Sequence, residues 1–316
     1  MKNRVIVVGS YNTDLTIKTK RIPRPGETVL GGSFFQGGGG KGANQAVACA
    51  RAGAHVSFLA RIGNDALGEG AVRRLKDERV ETHCIVRDEQ YPTGVAFILV
   101  GEEGENSIAV ASGANARLSP ADIEAAKEEI ISAGVILLQL ECPLETVQHA
   151  IHLAHQSGTL VILNPAPAEQ LNGLRFGEVD IITPNRVEAE MLAGEKITDD
   201  ASLICVAQKI LDLGIRTVLI TLGSKGVFAA SRNSMTLLPA LEVEAVDSTG
   251  AGDIFNGSLA AFLAEGKPID QSVMMAMAAA SISVTRLGAQ SSAPLRTEIE
   301  HLIASRSVSK TEALNS

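Results

Sequence analysis

Val135-Ile136-Leu137-Leu138-Gln139-Leu140 is followed, after Glu141-Cys142-Pro143, by the helical pattern Leu144–His155 and a second apolar run, Leu160-Val161-Ile162-Leu163-Asn164. A strand, a crossover helix and another strand in close succession form a βαβ unit, which joins parallel strands. Both runs are apolar at nearly every position instead of alternating. That pattern marks strands covered on both faces. Working outward, Val5–Gly9, Val56–Ala60, Ile181–Thr183 and Val218–Thr221 read as further strands. Ala43–Ala52, Gly68–Glu78, Val187–Ala193 and Leu203–Leu213 read as the helices between them. The fold class expected is α/β, a doubly wound and mostly parallel sheet flanked by helices. Ligands of such sheets sit beyond the carboxyl ends of the strands.

Two segments break the rhythm. Residues 14–35 and 91–111 are short strand-like runs with the turns Pro23-Arg24-Pro25-Gly26 and Glu102-Glu103-Gly104-Glu105 and no helix between them. They predict a small β-sheet acting as a lid, with plain surface hairpins as the alternative. Asp253–Ala264, Gln271–Thr285 and Thr297–Ser305 are helical patterns. Residues 1–305 are therefore expected to form a single α/β domain, and 306–316, polar and without periodicity, a disordered tail.

The composition narrows the function. Hydrophobic residues make up 45%, aromatics only 3%, and tryptophan is absent, so the core must be built from Val, Ile, Leu and Ala. A net charge of −8 with no run of Lys or Arg argues against a nucleic acid or an anionic membrane as partner. The apolar run Val5–Val8 is too short for a signal-peptide core or a membrane span. Cys49, Cys84, Cys142 and Cys205 are widely spaced, with no Cys-x-x-Cys. They read as buried thiols of a reducing compartment, and the expected location is the cytoplasm. His149, His152 and His155 share helical spacing, but no carboxylate or cysteine completes a metal set in sequence.

The strongest local motif is Val246-Asp247-Ser248-Thr249-Gly250-Ala251-Gly252-Asp253 at the head of a helical run. Small residues before a helix leave backbone N–H groups open to an anion. Asp253 beside such a nest suits a general base that takes a proton from an attacking hydroxyl. It suits a helix N-cap equally well. Gly37-Gly38-Gly39-Gly40-Lys41-Gly42-Ala43-Asn44-Gln45-Ala46 is not a Walker A loop, because Phe35 stands six residues before Lys41 and Gly42 replaces the Ser/Thr. Close backbone approach to a polar ligand, with Lys41 and Asn44 as partners, is set against a flexible loop leading into a helix. Asn12 and Asp14 follow the first strand and Glu141 ends another, as a polyhydroxylated ligand requires. Asn185 and Glu188, three apart after a strand, suit either magnesium-bound water or a capping box. Thr221-Leu222-Gly223-Ser224-Lys225-Gly226 suits nucleotide phosphates or a plain turn.

Gly39–Ala46, with Gly53 and Gly63 following, and Asp247–Leu259 resemble the two signatures of the PfkB carbohydrate-kinase family. The resemblance runs from Val5 to about Pro294 and includes Pro25-Gly26-Glu27-Thr28, Gly104-Glu105-Asn106, Asn164–Ala168 and Gly288–Ser292. It implies a ribokinase-like fold and transfer of phosphate from ATP to the primary hydroxyl of D-ribose, giving D-ribose 5-phosphate and ADP. On matching positions it implies Asp253 as base and the amides of Gly250, Ala251 and Gly252 as anion hole. Asn12, Asp14, Gly40, Lys41, Asn44 and Glu141 would hold the sugar. Asn185 and Glu188 would organise magnesium indirectly, and Thr221, Gly223, Ser224 and Gly226 would border the nucleotide. Asp247, Thr249, Ser283, Arg286, Gly288 and Ser292 would surround a monovalent cation, usually potassium, several through carbonyls. A homodimer through the lid sheets is also implied.

Ser258, the extra Gly38 and Ile254 depart from the family pattern, and none removes a catalytic group. Kinases for deoxyribose, fructose or a nucleoside such as adenosine remain rivals, as does a non-catalytic sugar-binding relative. A dinucleotide oxidoreductase would need a tight G-x-G-x-x-G after the first strand, where Gly9-Ser10-Tyr11-Asn12 stands.

Overall fold

The structure, a computed structural model, describes residues 3–168, 171 and 173–314. The chain lays down β1 (Arg4–Val8), leaves the main body as β2 (Asn12–Lys18) and β3 (Ser33–Gly39), and returns through α1 (Lys41–Arg51) to β4 (His55–Leu59). A short parallel pair, β5 (Arg61–Gly63) and β6 (Val86–Asp88), brackets α2 (Ala66–Asp77). A second excursion, β7 (Gly94–Val100) and β8 (Asn106–Ala111), precedes α3 (Pro120–Ala125) and α4 (Lys127–Ser132). Next come β9 (Val135–Leu138), α5 (Leu144–Ser157), β10 (Leu160–Leu163), β11 (Ile181–Ile182), α6 (Arg186–Ala193), α7 (Asp200–Asp212) and β12 (Thr217–Thr221). A hairpin of β13 (Val227–Ser231) and β14 (Ser234–Leu238) leads to α8 (Ala251–Glu265), α9 (Ile269–Ser283) and α10 (Arg296–Leu314).

The main sheet has eight strands in the order β14-β13-β12-β11-β10-β9-β1-β4. Its strands from β12 to β4 are parallel, and β13 and β14 close one edge antiparallel. Successive residues point to opposite faces, so each strand feeds two cores. Val5, Val7, Val135, Leu137 and Ile162 pack on the face that meets α1, α8 and α9. Ile6, Val8, Ile136, Leu138, Val161 and Leu163 pack on the face that meets α5 and α7. That two-sided burial is why these strands carry no polar alternation.

The β13–β14 hairpin is not read from the sequence. Gly226 follows β12 with no helix-length segment, so the chain can only turn back antiparallel, and β14 is short and largely exposed. The two excursions pair as a separate four-stranded sheet, β3-β2-β7-β8, at the segments expected to form the lid. The tail is a correction: the backbone of α10 continues as helix through Leu314, where 306–316 is read as disordered. No Gly or Pro follows Arg296 to stop it. Residues 315 and 316 lie outside the described residues. No helix among the described residues is long and apolar enough to cross a membrane.

Candidate active site

β1 has β4 on one side and β9 on the other, so the connections from β1 and β9 diverge and a crevice opens beyond their carboxyl ends. Glu141, just past β9, spans that crevice. Its Oε2 accepts from Ser10 Oγ (2.5 Å) and from the Lys41 backbone N–H (3.0 Å). One carboxylate thus ties together the segment after β1, the segment after β9 and the start of α1.

Asn12 and Asp14 stand on the same face of β2, two residues apart. Burial pushes the Asp14 carboxyl up to about 6, and Glu141 adds to the rise. Asn12 is 4% exposed, and its Oδ1 accepts from Asn115 Nδ2 (2.9 Å). Asn115 also accepts from Tyr11 N–H (2.9 Å) and donates to the Tyr11 carbonyl (2.8 Å). These bonds leave the Asn12 amide group to present its N–H donors.

The glycine run is not the flexible loop weighed from the sequence. Gly37, Gly38 and Gly39 are the end of β3, paired with Asp14, Thr13 and Asn12. A Cβ on Gly39 would collide with the Asp14 carboxylate, so glycine lets β3 lie against it. Only Gly40 is a turn residue, at φ 87° as the N-cap of α1. Gly250 plays the same part at α8, with φ 74°. Both residues occupy the left-handed region that glycine alone enters freely. Neither glycine offers a capping side chain: at α1 Glu141 takes the Lys41 N–H instead, and at α8 the Ala251 N–H turns back to the Ser248 carbonyl (3.2 Å) while no side chain caps the helix start.

Asp253 is therefore not the cap that the sequence allows. It lies in the first turn of α8, 7% exposed, and its carboxylate faces α1. Oδ2 accepts from Asn44 Nδ2 (2.9 Å) and Oδ1 from Gln45 Nε2 (2.9 Å). Burial raises its pKa, the charge of Lys41 and the two amides pull it down, and Glu141 raises it again. Asn44 Oδ1 is buried with no partner of its own.

Asn185 and Glu188 realise the capping box of α6. Asn185 N–H donates to Glu188 Oε2 (2.8 Å), and Glu188 N–H donates to Asn185 Oδ1 (2.9 Å). Glu188 is nonetheless 5% exposed and lies within the fields of Lys41 and Asp253. Burial raises its pKa, against the opposing pull of Asn185 and Lys41. Thr221 bridges Asn185 and donates its N–H to the Pro184 carbonyl (2.9 Å). Gly223 and Ser224 form an exposed turn closed by Leu222 N–H to the buried Gly226 carbonyl (2.8 Å).

The residues proposed around a cation also gather, in part. Asp247 accepts from Thr249 N–H (2.9 Å) and Gly288 N–H (2.8 Å). Burial works against these bonds, yet they hold its carboxyl below the usual range. Ser292 Oγ donates to the carbonyl of Ala289, which backs directly onto Gly250. The side chains of Ser283 and Arg286 turn elsewhere, to the Ala280 carbonyl and to Glu298. On α5, His149 pairs with Glu124 and His152 with Glu178.

Several residues of this group are not assigned to the site from the sequence, although Asn164 and Thr183 end strands that it predicts. Gln45, Gln139, Asn164, Thr183, Asn256 and Asn115 are all buried and hydrogen-bonded in or beside the crevice. The available signal was an amide interrupting an apolar strand, as Gln139 does in Val135–Leu140.

A buried carboxylate beside an uncapped helix start, among polar groups from several strand ends, is the machinery of an α/β phosphotransferase acting on a hydroxyl. The comparisons place it further. The chain belongs to the pfkB family of carbohydrate kinases, whose family model matches residues 2–296. It is 43% identical over 298 residues to a ribokinase of Haemophilus influenzae, covering 94% of this chain and 97% of that one. The solved structure of Arabidopsis thaliana ribokinase complexed with ribose and ATP superposes with a TM-score of 0.89 at 31% identity, covering 96% of this chain and 99% of that one. A deoxyribokinase of Salmonella typhi is 36% identical over 291 residues, 92% of this chain and 95% of its own length.

Proposed function

We propose that the chain transfers the γ-phosphoryl group of ATP to the primary hydroxyl of D-ribose, giving D-ribose 5-phosphate and ADP. The observation that carries this reading is the Asp253–Asn44 pair. A buried carboxylate is held by an amide whose own Oδ1 has no partner, at the mouth of an uncapped helix. A buried acceptor left unsatisfied calls for a donor, and a sugar hydroxyl supplies one. The ribokinase relatives and the Arabidopsis complex support the choice of ribose and ATP.

In this reading Asn12, Asp14, Gly40, Lys41, Asn44 and Glu141 hold the sugar. Asp253 accepts the proton of the primary hydroxyl as its oxygen bonds to the γ-phosphorus. The bond from that phosphorus to the β–γ bridging oxygen breaks, and its electrons leave with ADP. The N–H groups of Gly250, Ala251 and Gly252 stabilise charge on the transferred group, which is where preorganised donors do most. Thr221, Gly223, Ser224 and Gly226 border the nucleotide. Magnesium, organised through Asn185 and the buried Glu188, would neutralise phosphate charge. Potassium would sit beside Asp247 and Thr249, with the backbone of Ser283, Arg286 and Gly288 and the Ser292 hydroxyl around it. The family's monovalent site fits a carboxylate already fixed by two backbone N–H groups.

We place the enzyme in the cytoplasm, on the strength of four free cysteines, although only Cys49 and Cys142 are buried as expected while Cys84 is half-buried and Cys205 exposed. We read it as a homodimer through the lid, with no nucleic-acid partner at a net charge of −8.

ADP release measured with ATP and magnesium tests the function. Ribose, deoxyribose, fructose and adenosine are compared, with and without potassium. Ribose should give the highest kcat/KM, and omitting potassium should lower it. Asp253→Asn should cut kcat by about 10³-fold or more. Preference for another sugar overturns the substrate, and a near-normal Asp253→Asn overturns the base.

A further inference from the structure

Gln45 is fully buried on α1, and its amide sits at a junction. Its Nε2 donates both to Asp253 Oδ1 (2.9 Å) and to Asn164 Oδ1 (3.1 Å), while its Oε1 accepts from Gln139 Nε2 (2.6 Å). Asn164 Nδ2 donates in turn to the Thr183 carbonyl (3.0 Å), and Thr183 Oγ1 donates to Asn256 Oδ1 (2.6 Å). Asn256 Nδ2 closes the path on the Gly252 carbonyl (2.8 Å), one residue before Asp253. Gln139, Asn164 and Thr183 follow the ends of β9, β10 and β11, so the chain of amides is anchored on three adjacent strands.

A glutamine amide can be placed two ways, and here the neighbours admit one. Reversed, Gln45 Oε1 would face a carboxylate and a carbonyl oxygen, and its NH₂ would face the NH₂ of Gln139. The contacts to Asp253 and Asn164 would become repulsive in a buried setting, where unsatisfied groups cost most, and the third would survive only if Gln139 reversed as well. The geometry points to Gln45 as a positioning residue for Asp253: it locks Oδ1 in one direction, so that the carboxylate presents a fixed lone pair to the sugar hydroxyl. This inference rests on the reading of Asp253 as the base.

The groups facing Asp253 are Lys41 from α1, Glu141 from the end of β9 and Glu188 from α6. Of the charges, only Lys41 favours ionised Asp253. Lys41 offsets burial most, and the amide donors of Asn44 and Gln45 add to it. Removing one raises the pKa of the base, and the acid limb of the kcat profile moves up in pH.

The test compares Gln45→Met, Gln139→Met and Asp253→Asn in the full-length enzyme, by kcat and ribose KM across pH and by unfolding cooperativity. Gln45→Met should lower kcat by about 10²-fold, with ribose KM little changed and the acid limb shifted to higher pH. Gln139→Met, which withdraws the brace without touching Asp253, should shift both the same way but less, and it carries the test if Gln45→Met does not fold. An inactive Asp253→Asn with an unmoved acid limb in the folded glutamine variant overturns the positioning role. A loss that appears equally in KM and kcat, with the acid limb unmoved, also overturns it, in favour of simple packing. An active Asp253→Asn overturns the base assignment instead, so the two failures are distinguishable.

Discussion

At the scale of single residues, the site keeps charge where folding alone would not. Asp14 has a carboxyl pushed up to about 6, chiefly by burial and then by Glu141. The sign follows from the direction of the shift. A carboxylate whose folded pKa lies above its unfolded value of 3.8 adds stability only while protonated, and that contribution is lost as pH rises through about 6. At neutral pH the ionised Asp14 therefore costs about 2 kcal/mol, a shift of about two units at 1.36 kcal/mol each, reduced for partial exposure. Asp14→Asn should stabilise the protein by about that amount in denaturant unfolding at pH 7.5, with the gain vanishing near pH 4. The same variant should raise the ribose KM, because an acceptor for sugar hydroxyls has become an amide. Equal stability at both pH values would show that the carboxylate is not strained. Residues of this kind were legible because they are polar and end strands. Gln45, Gln139 and even the strand-ending Asn164 were not, because a buried amide bonded to another amide leaves no periodic or charge signature; only the fold brings α1 and the ends of β9 and β10 together.

At the scale of elements, the two apolar βα runs announce themselves, since strands buried on both faces must be continuously apolar. Glycine is harder to read. Gly37–Gly40 has the composition of a loop, yet three of the four pair in β3 and only Gly40 turns. The reason lies across the sheet, in the Asp14 carboxylate that a side chain at position 39 would strike. A substitution series separates the two readings. Gly37 has open space around it and Gly39 does not. Gly39→Ala should raise the ribose KM by about 10-fold or more through displacement of Asp14, whereas Gly37→Ala should leave KM within about twofold. In a merely flexible loop, both alanines would act alike by reducing unfolded-state entropy. The edge hairpin β13–β14 failed to register for a related reason: its strands have five residues each and the outer one is largely exposed, so its brief apolar pattern marks no partner.

At the scale of the whole molecule, the small sheet has two faces of different chemistry. Residues alternate along β2, so Asn12 and Asp14 look one way while Leu15 and Ile17 look the other. By register, Ile17 pairs with Phe34 and with Leu99, and Leu15 pairs with Phe97, which places five apolar residues on the face away from the sugar residues. Phe34 and Phe97 are 61% and 53% exposed there. A contiguous apolar face of this kind marks an interface in a soluble protein. A self-complementary patch on a twofold axis is the commonest way to bury it. Phe97→Glu would set two like charges into such an interface, where each is desolvated without a partner. Light scattering should then give the chain mass of 33.0 kDa, against about twice that for the wild type. Leu15 follows Asp14 on β2 and faces the opposite side, so a second copy on the apolar face would back the strand that carries Asn12 and Asp14. The Phe97→Glu monomer should therefore keep most of its kcat, since Asp253 and the helix start lie on the main body, while its ribose KM rises. A Phe97→Glu protein that remains dimeric would place the interface elsewhere. A monomer with unchanged KM would show that the lid holds its shape without a second copy behind it.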